Sequence, residues 1–180
     1  LTAGAQFLYF EGDYKIFFAD DNPQMLAHDK IQDTYTKSDN LMIVIGPDDG
    51  NVFTQQALQA VAAATDAAWQ TPYGVRVDSI TNFQNSYADG DELIVEDLVS
   101  DADSLTEADL QRIRTIALSE KQLVHRLISD TGHVTAINVS LELPPAVDPM
   151  ADEETQTEQR IARDQSFPEV VAYGNEIRGE

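Results

Sequence analysis

Apolar residues in this chain fall into short runs, alternating stretches and helically spaced stripes, and these patterns predict its elements. Residues 41–45 (Leu-Met-Ile-Val-Ile) are apolar without a break, bounded by Asp39-Asn40 and Gly46-Pro47. That length and β-branching predict a central strand buried on both faces. A helix follows over residues 54–70, with Thr54 as its cap. Leu58, Val61, Thr65 and Trp69 share one helical face, and Gln56, Gln59, Asp66 and Gln70 share another. Its many alanines allow close approach to a sheet. Trp69 is expected to anchor the core, and Pro72-Tyr73-Gly74 ends the helix. Residues 75–84 (Val-Arg-Val-Asp-Ser-Ile-Thr-Asn-Phe-Gln) then read as an extended segment around which the neighbouring elements are arranged. Val75 and Val77 share one of its faces, Arg76 and Asp78 the other.

Downstream, a turn over residues 88–91 leads to a strand over 93–99 that Glu92, Glu96 and Asp97 keep partly exposed. Residues 100–104 form an acidic loop. Thr106 and Asp109 have the spacing of a capping box, and Leu110, Ile113, Ile116 and Ala117 form the apolar face of the helix that follows. A further short helix is expected from Ser119, carrying Leu123 and Val124. Residues 127–129 and 134–141, joined through Asp130-Thr131-Gly132, carry a hairpin signal. In the second arm Thr135, Ile137, Val139 and Leu141 alternate with Ala136, Asn138 and Ser140, which predicts a half-buried strand. Pro144-Pro145 and Pro149 mark a linker. Residues 152–165 predict a solvent-exposed helix and 168–173 one more strand. At the other end, aromatic residues crowd positions 7–18, with a short strand expected over 14–18. Asn22-Pro23 starts a helix running to about residue 36, with Met25, Leu26, Ile31 and Tyr35 on its apolar stripe.

Strands alternating with helices place the chain in the α/β (α+β) class, with helices packed on a mixed sheet. Composition adds limits. The 180 residues suffice for one domain or two small lobes. Net charge is −21 and the sequence pI is about 4.1. A field of that sign repels nucleic acid and anionic headgroups, so no nucleic-acid partner is expected. The acidity is spread along the chain and reads as a solvated surface. The absence of cysteine excludes disulfides, zinc–thiolate sites and cysteine nucleophiles. No apolar run reaches the length of a membrane span, and no signal peptide is visible. The chain begins Leu-Thr-Ala and ends Ile-Arg-Gly-Glu; both ends are expected to be cuts in a longer polypeptide.

The chemistry-bearing residues assemble no catalytic set. Arg76 and Asp78 are read as a structural ion pair or partner contact, because no nucleophile or histidine lies near them in sequence. Ser79 has Asp78 beside it but no base, and no Gly-x-Ser-x-Gly elbow occurs. Asp20-Asp21 has no EF-hand spacing, the turn Asp48-Asp49-Gly50-Asn51 lacks the glycines of a P-loop and the later bidentate glutamate of an EF-hand, and the Asp101/Asp103 loop has Leu105 at the next ligand position and no required glycine. His28 has no partner at ligand spacing. His125 and His133 flank the hairpin without a third ligand. Catalytic residues, metal ligands and cofactors are therefore all expected to be none, and substrate-binding residues are not assignable.

One ordered series of residues carries a resemblance. Asp39-Asn40, the apolar strand, Phe53-Thr54, Leu58, Thr65 and Trp69 are followed by Pro72-Tyr73, Arg76-Val77-Asp78-Ser79, Thr81-Asn82 and Gly90-Asp91-Glu92-Leu93. The series continues through Leu98-Val99, Ala117-Leu118, Leu123-Val124, Arg126-Leu127, Ser129, Gly132 and Val134-Thr135-Ala136 to Pro144. It resembles the extracytoplasmic porter loop of RND-superfamily exporters, closest to the hydrophobe/amphiphile and MMPL-like branch, over residues 14 to 145. Lys121 departs from it where a proline is expected, which touches only the local helix start.

The resemblance implies a ferredoxin-like βαβ sandwich lying between the first two transmembrane helices of a transporter. Residues 1–145 would form the porter α/β domain. Residues 146–180 would be a linker, exposed helix and strand leading to the next porter element. It further implies a non-enzymatic part in exporting hydrophobic or amphiphilic small molecules, driven by an ion gradient. Its location would be a periplasmic, extracytoplasmic loop of an inner-membrane protein. Its partners would be the remaining porter and transmembrane parts of the same transporter. The coupling acids of such transporters lie in membrane helices, so none carries over. The alternative reading is an extracytoplasmic ligand-binding or sensor domain of a membrane receptor.

Overall fold

A computed structural model of the chain describes residues 22–27, 39–145, 147–148 and 150–179. The chain divides into two units, Leu1–Lys37 and Ser38–Glu180. In the first, residues 23–27 are helical. The Asn22 side chain caps them by accepting from the N–H groups of Gln24 at 2.9 Å and Met25 at 3.3 Å. The remainder of the expected helix to residue 36 and the expected strand over 14–18 lie outside the described residues.

The second unit runs β1 (Asn40–Ile45), α1 (Gln55–Ala68), β2 (Gly74–Asp78), β3 (Gln84–Asp89), β4 (Glu92–Asp97), α2 (Glu107–Ser119), β5 (Thr135–Leu141) and α3 (Glu153–Arg178). The α/β (α+β) class is as expected. The described sheets are antiparallel throughout rather than mixed. β5 lies between β1 and β2 and is antiparallel to both. β1 and β2 are therefore parallel to each other, joined through α1, with a foreign strand between them. β3 and β4 form a separate hairpin.

The register sets the core. Ile43 faces Ile137, Leu41 faces Val139, Ile45 faces Thr135, and Val77 meets Val139 from the other side. All of these lie on the face covered by α1, which packs on β2 and β5, and by α3, which packs on α1 and β1. Ile137, Val139, Leu58, Val61, Ile80, Leu98 and Ile113 are fully buried at 0% exposure. The opposite face carries Met42, Val44 and Arg76 in the open. β1 was expected to be buried on both faces. It is instead an edge strand with one wet face, because β5 takes the central position. β5, expected to be half-buried, is the more enclosed strand: Ala136 on its second face is also buried.

Three other expectations are corrected. Residues 75–84 are not one extended segment: β2 ends at Asp78, a corner follows, and β3 begins at Gln84. A bulge between Gly74 and Arg76 also frees Val75 from the Val77 face, leaving it half-exposed. No helix follows Ser119. Residues 121–127 form successive turns, with His125 at a positive φ of 63°, and Leu123 is buried there. The expected strand over 168–173 is helix: α3 runs through Pro168 from its Asp152 cap to Gly179 in the left-handed conformation. The buried or packed residues Ser166, Val170, Tyr173 and Ile177 recur with helical spacing, which a strand would scatter over two faces. Gly174 lets the helix approach β1: a Cβ there would sit 3.3 Å from the Leu41 side chain. Before it, residues 153–165 bury no side chain fully, as expected of an exposed helix. Among the described residues, no helix is long and apolar enough to cross a membrane.

Trp69 is a further correction: it is 50% exposed. The buried arc of α1 holds Ala57, Leu58, Val61, Thr65 and Ala68. At 3.6 residues per turn, Trp69 lies about 80° round from Val61, on the flank rather than the centre of that arc. Ile137→Ala should therefore cost about 3 kcal/mol in chemical denaturation. Trp69→Ala should cost about 1 kcal/mol or less.

Candidate functional site

The corner between β2 and β3 is built by small polar side chains. Asn82 accepts the Ser79 N–H at 2.8 Å and donates to the Val77 carbonyl at 2.8 Å. Ser79 and Thr81 hydroxyls lie 2.8 Å apart, and Thr81 reaches Thr65 of α1 at 3.3 Å. Thr65 donates to the Val61 carbonyl at 2.7 Å. Ser79, Thr81 and Thr65 are all buried. A buried hydroxyl needs such partners, and here they tie α1 to the point where the chain turns out of the main sheet. Ser79 is thus a structural residue, only 1% exposed.

Beyond the corner a cleft of about 480 Å³ opens between α1 and residues 97–103. Its α1 wall carries Gln59, Ala62, Ala63, Thr65, Asp66 and Trp69. Its other wall carries Thr81, Asn82, Asp97, Val99, Ser100, Asp101, Ala102 and Asp103. Every titratable side chain in this lining is an aspartate. Gln59 donates to the Asp103 carboxylate at 2.9 Å, and Gln55 to the Asp103 carbonyl at 2.6 Å, stapling the acidic loop to α1. Asp101 accepts from the Ser104 hydroxyl at 2.7 Å and from the Asp103 N–H at 3.0 Å. These bonds, the hydroxyl first, hold its carboxyl below the usual range. Asp97 accepts from Gln84. Among the described residues, Asp66 has no hydrogen bond or ion pair.

A second cleft, of about 560 Å³, lies where residues 122–127 meet the helix-free face of the sheet. Met42, Arg76, Asp78, Asn82, Asn138, Gln122, His125 and Arg126 line it. Arg76 and Asp78 form the ion pair expected from their shared strand face, at 2.7 Å, with the guanidinium largely exposed.

The other residues singled out in the sequence are not brought into a common site. Asp49 caps a turn by accepting from the Asn51 N–H at 3.0 Å. Asp48 is in the same turn. His133 meets Ser129 at 3.1 Å and also Thr131 inside the tight turn before β5, while His125 lines the second cleft. Asp20, Asp21 and His28 lie outside the described residues. Among the described residues, no three His, Asp or Glu side chains are placed to hold a metal ion. The cleft itself was missed in the sequence. Its one signal was the closeness of Trp69, at the end of the apolar face, to the neighbouring face that carries Gln59 and Asp66. No family model, curated protein or solved structure matches the chain.

Two predictions follow from these hydrogen bonds. Asn82→Ala removes both partners of the corner and should cost about 1–3 kcal/mol in urea unfolding. Asp101, Asp109 and Asp152 each have a carboxyl lowered by local donors: Ser104 first for Asp101, the Thr106 hydroxyl first for Asp109, and the Thr155 N–H first for Asp152. A depressed carboxyl stabilises the fold above its unfolded value and loses that contribution as pH falls through its folded value. Urea midpoints should therefore fall between pH 5 and about pH 3. Asp109→Asn, which replaces the titrating carboxyl that accepts from Thr106 with an amide, should flatten part of that fall.

Proposed function

We propose that this chain is the extracytoplasmic porter lobe of an RND-superfamily exporter, a non-enzymatic domain on the path of hydrophobic or amphiphilic molecules. The observation that carries the reading is the split unit β1–α1–β2, with β5 inserted antiparallel between its strands and two helices on one face. That is the arrangement on which ferredoxin-like βαβ lobes are built. The residue series that resembles the porter loops supports it further. Thr65, Ser79, Thr81 and Asn82 from that series meet in one network at the corner of the split unit.

In such a lobe the packed core would move as a rigid body while its open surfaces exchange neighbours. The wet face of β1 and the exposed face of the hairpin at Leu93 and Val95 are surfaces of that kind. Coupling to an ion gradient would reside in membrane helices, and this chain would supply shape and binding. The approximately 480 Å³ cleft would serve equally in an extracytoplasmic ligand-binding or sensor domain, which is the second reading.

The flanking coding sequence separates the two readings. The porter reading expects an apolar span of about 20 residues shortly before Leu1 and a cluster of such spans beyond Glu180. One or two spans in total would favour the sensor. Flanks without any span would overturn both.

A further inference from the structure

The hairpin meets the first cleft at Asp97. Leu93, Val95 and Asp97 alternate along β4 and so project from the same strand face. Asp97 lines the cleft. Leu93 and Val95 continue outward from its mouth, 73% and 53% exposed. Their cross-strand neighbours Ala88 and Ser86 are small and leave that face unobstructed. The hairpin's other face is tied to the body, where Glu96 pairs with Arg112 of α2 at 3.8 Å. An open apolar strip whose two residues lie about 7 Å apart, by strand rise, therefore leads into a recess whose charged groups are all carboxylates and whose exposed aromatic is Trp69.

We infer that this surface binds an organic cation carrying an apolar chain. The ammonium group lies against the Trp69 ring, which attracts a cation through its π face, with Asp66 as the carboxylate not already engaged. The chain lies along Val95 and Leu93, where burial removes apolar surface of both partners from water. An anionic head meets four aspartates and is rejected. A neutral head gains no charge attraction from them. The inference deepens the porter reading by naming a ligand class and rests on it only for the biological role.

Trp69 is the sole tryptophan of the chain, so its fluorescence reports on the cleft alone. The probe is decyltrimethylammonium titrated below its micelle concentration, alongside decyl maltoside, decyl sulfate and tetramethylammonium. The expected result is a saturable Trp69 response to decyltrimethylammonium, with each comparison compound at least about ten-fold weaker. Asp66→Asn should weaken binding about three- to ten-fold. Glu158→Gln, which removes one equal charge from an exposed position on α3, should leave it unchanged. Leu93→Ser should weaken the decyl compound and not tetramethylammonium. Equal losses in D66N and E158Q would reduce the effect to the field of the whole protein and overturn the site. So would decyl maltoside binding as well as the cation, or the absence of a saturable response. Flanks without membrane spans would end the porter reading and leave this binding result standing; absent binding would end the site and leave the porter reading standing.

Discussion

The fold depends on one constraint: β5 must lie between two parallel strands that a single helix connects. β1, α1 and β2 occupy residues 40–78, yet their sheet is not continuous until residues 135–141 arrive. The pairing is long-range and costs loop-closure entropy before any contact repays it. The register is correspondingly specific. Thr135, Ile137, Val139 and Leu141 all face the helices, and all are buried. A slip of one residue would put Asn138 and Ser140 into that layer and Ile137 and Val139 into water. Gly132 prepares the entry. It sits at φ +75°, and a Cβ there would fall 2.5 Å from the Phe53 ring, so the turn before β5 closes only with glycine.

The polar corner decides where the chain leaves that sheet. Without Asn82 bridging Ser79 and Val77, β2 has the β-forming composition to continue through Ile80. Instead Ile80 is fully buried, and the strand pair β3–β4 departs from the body. The ladder re-enters through Leu98 and Val99, whose N–H groups donate to the Phe83 and Thr81 carbonyls at 2.8 and 3.1 Å. The same corner therefore fixes one wall of the cleft and the direction of the hairpin that leads to it. Structure and candidate site share a single set of side chains.

Local signals were legible in the sequence where a residue acts on its immediate neighbours. Thr54 and Thr106 cap α1 and α2, the second in a full capping box, and the alternation of residues 135–141 marks the core face. The resemblance pointed to a βαβ unit without saying which later strand would complete it. What was not legible depends on distant partners. β1 looks like a central strand by composition and is an edge because β5 displaces it. Residues 168–173 look like a strand by β-branching. Helical periodicity prevails there because Val170 and Ile177 meet the core and Tyr173 donates to the Ala67 carbonyl at 3.1 Å. Trp69 was placed on an apolar helical face, but the buried arc is set by the sheet beneath α1 and is centred one flank away.

That displacement of Trp69 is also what makes charge informative. A net charge of −21 attracts cations to the whole surface, so negative potential alone cannot define a site. At physiological salt the field of exposed groups fades within about 8 Å, which leaves position to short-range contacts. Three of the four cleft aspartates already serve structure, Asp103 and Asp101 in the loop through Gln59 and Ser104 and Asp97 at the base of the hairpin through Gln84. They set the sign of the recess while their geometry is spent on structure. Discrimination among cations then falls to the groups the fold leaves unused: the Asp66 carboxylate, the exposed indole of Trp69, and the apolar edge of β4 at Val95 and Leu93. A compact inorganic ion can use only the first of these, whereas an organic cation with a chain engages all three.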